Sequence, residues 1–85
     1  MSVVTIEFLL TERPVRVEIE FQEDSILEDI LPLIEQRLGE NGLGPGTRKD
    51  LLSSFAMARN GRIVYPRTRL EDGDRIRIFH LLDGG

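Results

Sequence analysis

Cysteine is absent from this 85-residue chain, and its absence removes several chemistries at once. A disulfide framework, a thiolate zinc site and a cysteine nucleophile are all excluded. The absence also fits a reducing compartment. Histidine occurs once, at His80, so a typical transition-metal site lacks its usual donors. No apolar run approaches the ~20 residues that cross a bilayer. Met1 to Leu10 lacks a basic segment followed by a long apolar stretch, so no signal peptide is expected. A cytoplasmic protein with no membrane partner follows as the expectation. Ser2, Ser25, Ser53 and Ser54 stand outside any nucleophile-elbow context. The glycines lack the spacing of a phosphate-binding loop. No catalytic constellation is left, and a single domain of this size rarely encloses an active site.

Charge is unevenly placed along the chain. The net charge is −4, but residues 1–40 hold ten acids and three bases, a net of −7, while residues 41–85 hold five acids and eight bases, a net of +3. An acidic domain is a poor general binder of nucleic acid, because phosphate neutralisation drives that affinity. Arg59, Arg62, Arg67, Arg69, Arg75 and Arg77 could form a local basic face, but most such arginines are simply solvated strand residues.

From Val3 to Leu10, Val4, Ile6, Phe8 and Leu10 alternate with Thr5, Glu7 and Leu9, the period of a half-buried strand. Thr11-Glu12-Arg13-Pro14 interrupts the pattern. Val15 to Phe21 then alternates without a fault, with Arg16, Glu18 and Glu20 on the outer face. Two such runs joined by a short Pro-containing segment predict an antiparallel hairpin.

The period then changes. Ile26, Ile30, Ile34 and Leu38 recur every four residues, and Leu27, Leu31 and Leu33 widen the stripe, which predicts a buried helix face over 26–38. Ser25 followed by Glu28 is a capping-box pattern, and Gly39 is the expected stop. Pro32 should kink the helix or split off its first turn. Residues 39–50 read as a connector, with Leu51 and Leu52 over the core edge. Asn60-Gly61 between Phe55–Arg59 and Arg62–Tyr65 is a strong hairpin signal. Asp72 and Asp74 bracket Gly73 in a tight turn, where turn chemistry explains them better than acid–base work. Arg75 to Leu81 is the last strand. If Ile76 and Ile78 face the helix, then Arg75, Arg77, Phe79 and Leu81 face the other way, unless twist returns Phe79 to the core. The expected core is Val15, Val17, Ile19, Ile30, Ile34, Ile76 and Ile78. The fold class is α+β, a mixed sheet of four or five strands packed on one main helix.

The chain ends in Gly84-Gly85. Without Cβ atoms, two glycines can thread a narrow channel and leave the α-carboxylate uncrowded. The tail beyond Leu82 is expected to be mobile, giving a domain over 1–81 and a tail over 82–85.

The stretch Ala58-Arg59-Asn60-Gly61-Arg62-Ile63-Val64, the Leu70-Glu71-Asp72-Gly73-Asp74 turn and the ending Ile78-Phe79-His80-Leu81-Leu82-Asp83-Gly84-Gly85 resemble the ubiquitin-like sulfur carriers of the ThiS/MoaD family. The resemblance covers the whole chain and implies a β-grasp fold. It implies a protein co-substrate, not an enzyme, or a small non-catalytic subunit of molybdopterin synthase if the chain is MoaD-like. No bound cofactor or metal is implied. A ThiF/MoeB-type adenylyltransferase would use ATP, with Mg, to activate the carboxylate of Gly85. A persulfide donor would turn it into a thiocarboxylate for an acceptor of ThiG or MoaE type. Gly84 and Gly85 would carry the chemistry, and Phe79, Leu81, Leu82, Asp83, Arg75 and Arg77 would contact partners. The residues before the glycines look closer to ThiS tails, and the long 39–54 connector looks closer to MoaD. Asp83 is unlike the small or apolar residue usual beside the glycines. Two other readings stay open: a protein modifier joined through the same terminus to lysines, and a non-covalent ubiquitin-like interaction domain.

Overall fold

The computed structural model describes residues 2–43 and 55–80. The two alternating runs form strands β1 (Ser2–Phe8) and β2 (Val15–Phe21). They pair antiparallel, in register from Ser2↔Phe21 to Phe8↔Val15. Strand β1 ends short of the expected Leu10. The Leu9 amide still donates to the Ile78 carbonyl at 2.8 Å. Helix α1 spans Leu27–Glu40, followed by β3 (Phe55–Arg59), β4 (Arg62–Ile63) and β5 (Arg75–His80). The sheet order is β2-β1-β5-β3-β4, with β1 and β5 parallel at the centre and the other pairs antiparallel. This is the expected mixed sheet with one helix.

The helix ends differ from the local signals, for identifiable reasons. Ser25 does not cap the helix. Its amide bonds the Gln22 carbonyl and its carbonyl accepts from Leu70. Ile26 is the residue before the first turn, and the Asp29 carboxylate accepts its amide at 2.9 Å. The carbonyls of Thr68 and Pro66 accept the amides of Leu27 and Glu28 at 2.8 and 2.9 Å. A distant segment therefore satisfies donors that every helix start leaves open. Pro32 does not split off a first turn. It lies on the exposed side, and the helix runs unbroken past it.

Gly39 is helical, and the stop comes at Gly42 with φ +66. The Gly42 amide bonds the Gly39 carbonyl and the Leu43 amide bonds the Leu38 carbonyl, at 3.1 and 3.0 Å. That is the paired closure of a Schellman end, with Leu43 packed back on the core beside Leu38.

Between helix and sheet, Leu27, Ile30, Leu31, Ile34 and Leu38 pack on Val4, Ile6, Phe8, Ile19, Phe21, Met57, Ile76 and Ile78. Val15 and Val17, expected in the core, are half-buried at its margin, because it is the Ile19–Phe21 end of β2 that lies against α1. Leu33 does not widen the buried stripe. It is 41% exposed on the flank of α1. Strand β4 stops at Ile63 rather than Tyr65, since the Tyr65 amide turns aside to the Thr68 hydroxyl. Leu51 and Leu52 lie outside the described residues, as does most of the 39–50 connector.

Ile34→Ala removes a fully buried side chain and should cost about 2–5 kcal/mol on urea titration. Leu33→Ala should cost roughly 0.5 kcal/mol or less, as an exposed position does. Equal losses at the two positions would contradict this helix orientation.

Candidate functional site

The strand register places one set of side chains under the helix and the alternate set on the opposite, open face. On that face β1 contributes Thr5 and Glu7, with Leu9 just beyond its end, while β5 contributes Arg75, Arg77 and Phe79. Ala58 of β3 pairs with Arg77 and with Ile63 of β4. Leu9, Ala58, Ile63 and Phe79 line a concavity of ≈ 870 Å³, with Arg75, Arg77 and the Asp72–Asp74 turn on its border. Phe79 is half-buried here and is not part of the cluster under the helix. Twist does not return it to the core. Ile63 is 48% exposed, so the face carries an apolar patch open to a partner.

The turn before β5 sets this geometry. Gly73 has φ +86, a conformation that favours glycine. The Asp74 carboxylate accepts the Glu71 amide at 2.8 Å and the Arg59 guanidinium at 2.7 Å. The Asp72 carboxylate accepts the Val3 amide at 2.8 Å, and the Gly73 amide donates to the Val3 carbonyl at 2.8 Å. Both carboxylates are thus occupied: Asp72 holds the turn against β1, while Asp74 closes the turn and ties it to β3. That fixes the parallel register Thr5↔Arg75 and, along the strand, the place of Phe79. The companion turn at Asn60-Gly61 has φ of 54 and 78, both positive, as a two-residue hairpin turn of this hand requires.

Glu7 is the residue that alternation did not single out. It sits on the open face, yet its side chain is only 7% exposed. Its carboxylate takes the Arg16 Nε at 2.9 Å and the Arg77 Nε at 3.4 Å, the side chains opposite it on β2 and β5. A buried carboxylate is tolerable when paired in this way. The signal was present in the sequence as oppositely charged residues on neighbouring strands, but only the register reveals that they meet.

The candidate arginines do not form one basic face. Arg59 is bound to Asp74, Arg69 to Asp24 and Arg77 to Glu7. Arg75 is exposed and has no ion pair among the described residues. The His80 ring lies against Phe55, with centroids 5.2 Å apart. Strand β5 is described to His80, and Leu81, Leu82, Asp83, Gly84 and Gly85 lie outside the described residues. Among the described residues no helix is long and apolar enough to cross a membrane.

The family model described as the ThiS family matches residues 6–85. No curated protein matches the sequence. Among solved structures, the chain is similar to a Pyrococcus furiosus protein described as molybdopterin converting factor, subunit 1, at 22% identity and TM-score 0.67, covering 96% of this chain and 100% of that one. It is similar to SAMP1 of Haloferax volcanii at 23% identity and TM-score 0.52, covering 95% and 99%. It is also similar to the UBL domain of Plasmodium falciparum Dsk2 at 14% identity and TM-score 0.55, covering 93% and 99%. These likenesses place the fold among the ubiquitin-like β-grasp domains.

Phe79→Ala should leave more stability than Ile34→Ala, because it truncates a ring on an accessible face and opens no cavity under the helix. Urea midpoints of the two variants measured side by side check this. A loss at Phe79 as large as that at Ile34 would assign the ring to the core.

Proposed function

The chain belongs to the ThiS family of ubiquitin-like sulfur carriers, and from that membership we propose that it works as a cytoplasmic protein co-substrate whose reacting group is the Gly85 carboxylate. The family match running through Gly85 is the observation that carries this reading. A carboxylate is a poor electrophile because its charge is delocalised and its leaving group is bad. Attack of its oxygen on the α-phosphorus of ATP, with loss of pyrophosphate, makes an acyl-adenylate. The enzyme for this step is a ThiF/MoeB-type adenylyltransferase using ATP with Mg. A persulfide then forms a C–S bond as AMP leaves. A thiol cleaves the remaining S–S bond and is oxidised to a disulfide, which releases a C-terminal thiocarboxylate. That sulfur is ionised near neutral pH and nucleophilic, as thiolates are relative to thiols.

The fold supports the recognition half of this scheme. The open face offers Phe79 with Leu9 and Ile63 as apolar anchors, and Arg75 and Arg77 beside them. Buried apolar anchors commonly dominate an interface of this kind. Leu81, Leu82 and Asp83 are the remaining proposed contacts, leading from β5 to Gly84 and Gly85. The acceptor is a ThiG-type or a MoaE-type enzyme, so the sulfur ends in the thiazole of thiamine or in a molybdopterin-type cofactor. The fold shared with the Haloferax SAMP1 protein supports a second reading, in which the activated terminus is joined to a lysine. With Lys49 as its only lysine, the chain could build few conjugates of itself.

Deleting Gly85, or adding one residue after it, should abolish ATP–pyrophosphate exchange by the cognate adenylyltransferase and leave the urea midpoint unchanged. One residue displaces the carboxylate by about 3.5 Å, and reacting atoms must lie within about 3–3.5 Å of each other. Unchanged exchange by the shortened chain would overturn the carrier reading.

A further inference from the structure

A second surface runs along the outer edge of β2 to the flank of α1, at the far end of the sheet from the concavity beside Phe79. Two adjoining cavities of ≈ 500 and ≈ 300 Å³ run along it, and Glu20 and Leu33 border both. Ile19, Phe21 and Ile30 form a closed apolar floor, and Leu33 adds the exposed apolar side chain noted above. Among the described residues, strand β2 is a terminal strand of the sheet. Its seven residues pair with β1 in unbroken register, without bulge or proline. An antiparallel strand paired on one side leaves a row of amides and carbonyls on the other, which is a template for a further strand.

The charge of this groove selects what can add there. Glu18, Glu20 and Glu23 are exposed and make no ion pair among the described residues. Among the described residues Arg37 is the one basic side chain lining the groove, and it is held by Glu40. Nucleic acid and an anionic membrane are repelled. A second copy pairing through its own β2 edge with Ile19 opposite Ile19 would bring Glu18 against Glu20, and like charges facing each other across strands are destabilising.

The geometry points to a docking site for an extended segment of a partner protein that alternates basic and apolar residues and adds to β2 as a sixth strand. Its basic side chains would lie on the open-face side, opposite Glu18 and Glu20. Its apolar ones would lie on the helix side, over Leu33. Main-chain hydrogen bonds supply affinity, and the alternation supplies specificity. The inference is independent of the chemistry at Gly85, so the groove can be occupied whether or not the tail is activated.

Titration of the isotope-labelled chain with a capped synthetic peptide alternating arginine and valine tests this by NMR. Amide shifts should move at residues 15–21 and 33–37 and stay still at 75–79. The charge-reversed variant Glu18→Lys/Glu20→Lys should bind about tenfold or more weakly. A peptide with glutamate in place of arginine should not bind. Both substituted positions are exposed, and the spectrum of the variant reports its fold directly. Three results would overturn the proposal: no shifts at about 1 mM peptide, shifts confined to the open face, or equal binding of the two peptides.

Discussion

The parallel pairing of the first and last strands, clamped by the Asp72-Gly73-Asp74 turn, is the contact on which the rest of the molecule depends. Parallel neighbours cannot be joined by a tight turn, so the intervening chain has to travel out and return. Asp72 reaches back 69 residues to the Val3 amide, and the Asp74 carbonyl accepts the Thr5 amide at 2.8 Å. These bonds fix Ile6 beside Ile76 and Phe8 beside Ile78, which makes the floor on which the helix lies. The same register places Glu7 beside Arg77 on the opposite face. One alignment therefore decides both the core and the surface of the central strands.

The helix is held from two directions. Its apolar stripe packs on the central strands, and its first amides are taken by carbonyls of the 66–68 segment. That segment leads into the turn that clamps β5 to β1, and Arg59 joins the two by bonding both the Arg69 carbonyl and Asp74. The helix start, the turn and the central pairing therefore share partners. A loss in this region should be felt beyond the residue removed, since groups with shared partners do not contribute additively.

Much of this was legible in the sequence, and the exceptions have physical causes. Period-two runs gave β1 and β2, the four-residue recurrence gave α1, and Asn60-Gly61 gave the β3–β4 turn, because each of these signals is local. The helix ends were misplaced because Ser25 and Gly39 offer plausible local caps. The start is instead fixed by Asp29 and by Pro66 and Thr68, and the end by Gly42. Leu33 belongs to the apolar composition of the helix but lies beyond the arc that the sheet covers. Val15 and Val17 alternate as core residues do, but α1 closes over the Ile19–Phe21 end of β2 and not over theirs. Of the candidate site, Phe79, Arg75 and Arg77 fell on the expected face by parity alone. Burial of Glu7 was not legible, because it depends on which strands become neighbours.

Arg75 and Arg77 border the apolar patch on the open face together with Asp72 and Asp74, while Glu18, Glu20 and Glu23 border the groove beside β2. In the proposed scheme, tail chemistry needs only that the open face dock and that the terminal glycines reach. The most direct test is the intact mass of the chain purified from the cells that make it, followed by fragmentation. The account predicts a species heavier by the replacement of one oxygen with sulfur, with the added mass at Gly85. A population carrying only an unmodified Gly85 carboxylate, under conditions in which the acceptor pathway is active, would contradict it.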